Sequence, residues 1–277
     1  MIATNFEYNG QLLSDFDMMI CQFDSSGGLE TVSSGADVTF NQVLPSGSYK
    51  QQLVSTKYDT VYTTTFQICK NPCNVKNQDE MILSPELISA LQKWLCREKY
   101  GVFKIDQENY EDLYWKVVFS AKQIELCGSV FGLELTLTAD SNFSYSDNVY
   151  EKECNADEQF GLQVVSDLDG YILPNIEITL LNDGDFILKH DEDELLDKSI
   201  TKINGCENGE VITIDGQNQI ITTSSTSHDI VKNFNYLFPR LFYNYGGITN
   251  ESTENILKPN MNCKIKISYS SIRRVGL

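Results

Sequence analysis

The chain has 277 residues and a formal net charge of −18, with 41% hydrophobic and 22% charged residues. This composition is typical of a folded globular protein and excludes a disordered one. Residues 1–150 hold 10 basic and 19 acidic residues, and the remainder holds 11 and 20, so each part carries −9. Neither part is a basic nucleic-acid-binding module, and the uniform acidity disfavours anionic membranes.

The first ten residues have neither the basic nor the apolar region of a signal peptide, and no apolar run approaches the roughly 18 residues that span a bilayer. The eight cysteines are compatible with disulfides in a secreted protein. Their scattered spacing and the lack of a signal peptide favour free thiols in a reducing compartment instead. Cys69 and Cys73 are a C-x3-C pair with no histidine nearby, which is a weak zinc signal.

Short strands separated by turn residues are predicted throughout the first half. The clearest is residues 60–69, which are rich in β-branched and aromatic side chains, and residues 131–139 alternate cleanly between apolar and polar. Further strands are predicted at residues 6–8, 18–23, 37–43, 101–105 and 113–121.

One helix is predicted in the first half, beginning after Ser84 as N-cap with Pro85 at the first helical position. Leucines and Trp94 recur at helical spacing, so the helix has one apolar face that needs a sheet to pack on. Gly101 is predicted to act as the C′ residue. Trp94 and Trp115 are predicted to be core residues.

The second half is predicted to be a β-sandwich or jelly roll, because many short strands follow one another with polar turns. Residues 211–214 and 219–222 are predicted to form a hairpin around an Asp215-Gly216 turn. A second hairpin is predicted around residues 182–185. Other strands are predicted at residues 161–165, 175–182, 186–189, 237–241 and 263–269, and the domain boundary near residue 148.

Catalytic chemistry has little support. His228-Asp229 lies in a Ser/Thr-rich stretch, but no G-x-S-x-G elbow accompanies it, which leaves a hydrolase as a weak alternative. The acidic runs at residues 167–170 and 191–194 lack the ligand spacing of a calcium loop, and no phosphate-binding glycine loop is present. The sequence therefore predicts a protein that is not an enzyme, with no catalytic, cofactor or metal residues.

An aromatic cluster near residue 240 is the best candidate for an interaction surface. It comprises Tyr236, Phe242, Tyr243 and Tyr245. These side chains favour strand-to-loop packing, and a protein interface or a glycan contact is the functional alternative. A non-catalytic carbohydrate-binding β-sandwich module is therefore an alternative function.

The order of short motifs resembles that of the siphophage distal tail protein family over nearly the whole chain. In the first half the resemblance lies in F-E-Y-N-G followed by S-D-F, in residues 62–68, in K-W-L at the helix end and in L-T-A-D-S. In the second half it lies in P-N-I-E-I, I-T-I-D, F-P-R-L, L-K-P-N-M-N and the stretch from Tyr269 to Arg274.

The resemblance implies a mainly β subunit with two domains. Residues 1–148 would be a β-sandwich or barrel-like ring domain with one packed helix, and residues 149–277 a galectin-like β-sandwich. A homo-hexameric ring would join the tail tube protein to the tail-tip hub protein in the virion, after assembly in the host cytoplasm. Receptor-binding proteins or a host glycan are further possible partners.

Two departures from the family pattern stand out. Asn260 replaces a usual glycine, and asparagine also tolerates the left-handed conformation. The stretch 243–255 is longer than expected. Galectin-like sugar binding is not implied, because the second half shows no His–Asn–Arg set and no stacking tryptophan.

Overall fold

The structure is a computed structural model that describes residues 3–23, 38–58, 61–167, 170–190, 200–243 and 253–276. The chain divides into two compact units. Unit 1 comprises residues 1–145 together with 274–277, and unit 2 comprises residues 146–273. Both are built mainly from antiparallel strands, and the predicted mainly β fold with one packed helix is confirmed. The return of residues 274–277 to unit 1 was not predicted.

Unit 1 is organised around a seven-stranded sheet. Its elements are β1 (Phe6–Tyr8), β2 (Gln11–Leu12), β3 (Met18–Cys21), β4 (Val38–Val43), β5 (Gln52–Tyr58), β6 (Thr63–Lys70), α1 (Pro85–Leu95), β7 (Gly101–Ile105), β8 (Trp115–Leu126) and β9 (Ser129–Ala139). The sheet order is β2-β1-β7-β8-β9-β6-β3, with antiparallel pairing throughout. β4 and β5 form a separate two-stranded sheet.

Helix α1 packs on an aromatic core, as its apolar stripe predicts. The Ser84 hydroxyl oxygen accepts a hydrogen bond from the Leu87 amide at 3.2 Å and caps the first turn. Trp94 is buried, stacks on Phe6 and Phe16 with ring centroids 5.7 and 4.8 Å away, and donates to the Tyr8 carbonyl oxygen at 3.1 Å. The helix is thereby fixed to strand β1.

The helix ends at Leu95, in the K-W-L motif as the resemblance implies, but the predicted C′ residue was wrong. Cys96 is the C-cap, and Gly101 begins strand β7 instead of serving as C′. Glycine is needed at residue 101 for another reason, since a Cβ there would collide with the side chains of Asn9 and Tyr8. The close approach of β1 to β7, rather than a left-handed turn, explains this glycine.

Unit 2 has strands in several sheets around one core. Its elements are β10 (Ser144–Cys154), which begins in unit 1, and then β11 (Phe160–Val164), β12 (Gly170–Ile172), β13 (Asn175–Leu180), β14 (Gly184–His190), β15 (Ile200–Cys206), β16 (Val211–Asp215), β17 (Ile220–Thr223), α2 (Ile230–Asn233), β18 (Leu241–Tyr243), β19 (Thr253–Pro259) and β20 (Cys263–Arg273). The orders are β10-β20-β13-β16-β17 and β11-β19-β14-β15, with a β12-β18 pair. Side chains of both larger sheets share one core, which makes the unit a β-sandwich.

The hairpin of β16 and β17 confirms one prediction and corrects its turn. Ile212 and Ile214 face the core and Asp215 pairs with Ile220, so the connection is residues 216–219, one position later than the predicted 215–218. The Asp215 carboxylate accepts from the Asn218 amide at 3.0 Å and organises this loop, and Gln219 has the positive φ of 55°. Asp215 is thus the last paired residue of β16, and its side chain stabilises the turn that follows.

Three other predictions in the second half were wrong. β13 and β14 belong to different sheets, so residues 182–185 carry the chain across the sandwich instead of closing a hairpin. Residues 237–240 are not a strand, and only Leu241 of the predicted strand pairs, in β18, after a proline that has no amide hydrogen to donate. The short helix α2 was missed because it is one turn, capped by Asp229.

All eight cysteines are free thiols, and four of them are buried: Cys69, Cys154, Cys206 and Cys263. Burial raises the pKa of Cys263 to about 12, which keeps this thiol protonated and unreactive. The buried cysteines serve as small apolar groups of the core. Among the described residues, neither helix is long and apolar enough to span a membrane.

Replacing Ile214 with alanine should destabilise unit 2 by about 3 kcal/mol, because a fully buried side chain leaves a cavity. Ile220 on the paired strand β17 is 53% exposed and is the matched control. Ile220→Ala should cost less than about 1 kcal/mol. Urea unfolding followed by circular dichroism measures both, and equal losses would contradict the assigned facing of this hairpin.

Candidate functional site

The exposed hairpin of unit 1, residues 38–58, is the most unusual surface of the described chain. Every residue of β4 is exposed, and so is every residue of β5 except Tyr58. Phe40 is 59% exposed and Tyr49, in the connection between the strands, is 90% exposed. Other apolar side chains exposed along it are Val43, Leu44, Leu53 and Val54. A two-stranded sheet with no covered face is marginally stable alone in water, so this hairpin needs a partner.

The hairpin is anchored at its base. The Tyr58 ring meets the Phe143 ring edge-on at 4.9 Å, and the Arg274 guanidinium lies 5.6 Å from the Tyr58 ring centroid. Such aromatic and cation–π contacts are each worth about 1 kcal/mol. The base is therefore held in unit 1, while the rest of the hairpin remains available for contact.

The charge of the hairpin differs from that of the chain. Residues 38–58 contain Lys50 and Lys57 but no aspartate or glutamate, whereas the whole chain carries −18. The Lys50 ammonium lies 6.0 Å from the centroid of the exposed Tyr49 ring. The hairpin thus combines apolar and basic groups on an otherwise acidic protein.

Sequence reasoning missed this surface because it predicted β4 without its partner β5. The segment Gln52–Tyr58, Q-L-V-S-T-K-Y, has no clean alternation. A bulge shifts its register, since Asn41 pairs with Ser55 but Gln42 pairs with Leu53. The absence of acidic residues over 21 consecutive positions was the available signal.

The structure separates the four residues of the predicted aromatic surface. Tyr236 is exposed and donates to the Val231 carbonyl oxygen at 2.8 Å, and Phe242 is half-buried. Tyr243 is buried in the core of unit 2, so it cannot contribute to a surface. Tyr245 lies outside the described residues. An interaction surface here stays a prediction for Tyr236, Phe242 and Tyr245.

Arg240 is held between two aromatic rings beside this cluster. Its guanidinium lies 5.2 Å from the Tyr171 centroid and 5.3 Å from that of Phe242. The Asn255 amide oxygen accepts from the Phe242 amide at 2.6 Å and lies 2.9 Å from His190 Nε2. Arg240, Asn255 and His190 thus each lie against Phe242. Because Asn255 and His190 are buried, the set supports strand packing and gives little support to a sugar site.

A second polar cluster, Glu210 and His228, lies inside unit 2. Their side chains are 1% and 2% exposed, and Oε1 of Glu210 lies 2.6 Å from Nδ1 of His228. His228 Nε2 donates to the Asn204 carbonyl oxygen at 2.9 Å. The Glu210 carboxylate also accepts from the Thr223 hydroxyl and from the Glu207 amide at 2.9 Å.

The hydrogen bonds keep Glu210 ionised. Burial raises the pKa of Glu210, but the bonds from Thr223, the Glu207 amide and His228 outweigh it, so the pKa lies below its usual range. His228 then faces an acceptor at each ring nitrogen, and both nitrogens donate. The result is a buried ion pair whose polar atoms are all satisfied.

Neither metal binding nor a catalytic triad fits this cluster. Sγ of Cys206 lies with Glu210 and His228 within 4.8 Å, but the thiol donates to the Ile203 carbonyl oxygen at 3.5 Å. Burial raises the pKa of Cys206 to about 11, which opposes the thiolate that a metal requires. Asp229 pairs with Lys232 at 2.6 Å instead of orienting His228. The cluster is explained as a structural element.

Replacing Glu210 with glutamine should destabilise unit 2 by about 3 kcal/mol at pH 7, because it leaves His228 without its buried counter-charge. The folded-state pKa of Glu210 lies below its unfolded value of about 4.3, so ionised Glu210 contributes stability above that pH. This contribution is lost as the pH falls through the lowered pKa. The difference between the unchanged chain and Glu210→Gln should therefore shrink as the pH falls through that lowered pKa.

The measurement is urea unfolding from pH 7 to pH 3, with Glu177→Gln as control. Glu177 is exposed on β13, and its replacement should change the free energy of unfolding by less than about 0.5 kcal/mol. A difference for Glu210→Gln that stays constant over this pH range would contradict the buried ion pair.

Comparison with known proteins places the chain among phage tail proteins. Residues 1–141 match the family described as the phage tail protein N-terminal domain, and residues 143–269 match the phage tail C-terminal domain. A comparison with curated protein sequences finds no match.

Solved structures show the same fold over the whole length. The SPP1 Dit (gp 19.1) protein, described as a paradigm of the hub adsorption apparatus in Gram-positive-infecting phages, has a TM-score of 0.62 at 10% identity. The similarity covers 98% of this chain and 99% of that one. A chain of the phage P2 baseplate, in its activated conformation with calcium, has a TM-score of 0.50 at 10% identity, over 97% and 98% of the two chains. The chain therefore belongs to the phage tail proteins and has the fold of the SPP1 Dit hub protein, which confirms its resemblance to the siphophage distal tail proteins.

Proposed function

We propose that this chain is the hub subunit of a phage tail tip, forming a homo-hexameric ring that joins the tail tube to the host-recognition apparatus. It acts through assembly, without catalysis. Its family and its fold, shared with a hub adsorption protein and with a baseplate chain, support this role. Its partners would be further copies of itself, the tail tube protein and the tail-tip hub protein.

The exposed hairpin is the observation that carries the proposal. An apolar surface of this extent is a liability on a monomer, and a closed symmetric assembly covers such surfaces without open-ended growth. The net charge of −18 keeps separate subunits soluble until the specific contact forms.

Mass in solution tests the ring. Light scattering coupled to gel filtration should give six times the subunit mass of 31.4 kDa, and negative-stain images should show closed rings. A monomeric mass at every concentration up to about 10 mg/ml, together with images without rings, would contradict the hub assignment.

The apolar stem of the hairpin should be needed for assembly. Replacing both Phe40 and Leu53 with serine removes exposed apolar groups without touching the core, so the chain should fold but associate at least about tenfold more weakly. Val149→Ser, an exposed apolar replacement in unit 2, is the control and should assemble normally. Sedimentation velocity measures both, and unchanged assembly of the double variant would contradict a role for the stem.

A further inference from the structure

A groove in unit 1 complements the exposed hairpin in charge. It has a volume of about 460 Å³ and lies where β1, β2 and β7 meet the chain that follows β7. Its carboxylates are Glu7, Asp106, Glu108 and Glu111, and its one cationic side chain is Lys104. Four carboxylates against one ammonium group leave the groove with a formal charge of −3.

The carboxylates are available to a partner. Asp106, Glu108 and Glu111 are exposed, and among the ion pairs of the described residues none involves these three or Glu7. Asp106 accepts from the Asn5 amide group at 3.5 Å, the long limit for such a bond. Four acidic groups held close together repel one another, and a cationic partner relieves that repulsion.

The groove also offers an apolar contact. Leu12 of the edge strand β2 is exposed and lines the groove, and the lining also includes the buried Ile105. Only two residues of β2 pair with β1, so the short edge strand leaves most of this sheet edge open to a partner. An aromatic ring laid on Leu12 would gain apolar contact while basic groups beside it meet the carboxylates.

We infer that the tip of the exposed hairpin, Tyr49 and Lys50, docks into the acidic groove of a second copy of this chain. Within one copy both surfaces are exposed, so the hairpin does not cover the groove of its own subunit. A hairpin tip that carries an aromatic ring and a lysine is complementary to an acidic groove bordered by the exposed Leu12.

This contact joins two different surfaces, and it is therefore heterologous. Repeated from copy to copy, such a contact closes into a ring when its rotation divides the circle evenly. The inference rests on the proposed ring, and it names the two surfaces that meet there. Tyr49 is the central aromatic anchor, and Lys50 gives the contact its direction and its dependence on salt.

Charge reversal on each side of the contact tests the inference in the full-length chain. Lys50→Glu should weaken assembly at least about tenfold in sedimentation at 0.1 M salt, because like charges then face each other. Glu108→Lys with Glu111→Lys should weaken it similarly. Mixing the two variants should restore association, since each then offers the surface that complements the other. Lys93→Glu, on the exposed side of α1, is the control and should assemble as the unchanged chain does.

The outcomes separate this inference from the proposed function. If the unchanged chain forms no ring, the hub proposal fails first. If the unchanged chain forms rings and both reversed variants form them equally well, the ring stands and the hairpin-to-groove contact is overturned. Loss of assembly in both variants without restoration on mixing also overturns it. Thermal unfolding of each variant within about 2 °C of the unchanged chain shows that the fold is retained.

Discussion

The contact of Trp94 with strand β1 is the interaction on which unit 1 depends. Its indole stacks on Phe6 and Phe16 and donates to the Tyr8 carbonyl oxygen, so one side chain joins the helix, the first strand and the turn that follows it. Strand β1 has only three residues and pairs with β2 and β7. Without the indole, this short strand would have little to hold its register, and the acidic groove along it would lose its wall.

The two units have cores of different composition. Unit 1 has an aromatic core in which the buried rings of Phe6, Phe66, Phe103 and Phe119 lie edge-on, tilted or stacked within 6.5 Å of each other. Unit 2 has an aliphatic core with two inward polar clusters, at Glu210 and at Asn255, in which the hydrogen bonds of the carboxylate and the amide are internal. The polar side chains of these two clusters in unit 2 therefore serve to hold its strands together. The exposed apolar hairpin of residues 38–58 belongs to unit 1.

The strongest local patterns predicted most of the strands, the helix and the fold class. Ser84-Pro85 and the leucine spacing fixed the start of α1, and alternation identified the core face of β9 and of β16. The failures share a cause, which is that tertiary contacts decided the outcome. β10 reads as polar because its exposed face pairs Glu151 with Lys266 and Glu153 with Lys264, and β15 follows a stretch without alternation. The Glu210–His228 pair joins residues 18 positions apart, which no spacing rule connects.

The interaction surface was the hardest feature to predict for the same reason. A cluster of aromatic residues in sequence looked like a surface, yet Tyr243 is in the core, while residues 38–58, which were not predicted as a surface, are exposed. The exposure of a strand depends on which other elements pack over it. The alternation of its residues alone does not show that such an element is missing.

The last residues of the described chain carry a consequence for the order of events in the cell. Arg274 lies against Tyr58 at the base of the hairpin, and the Gly276 carbonyl oxygen accepts from the Tyr110 hydroxyl at 3.3 Å. Unit 1 is therefore completed by residues that leave the ribosome after all of unit 2. A nascent chain that has not yet reached Arg274 therefore lacks this contact at the base of its hairpin.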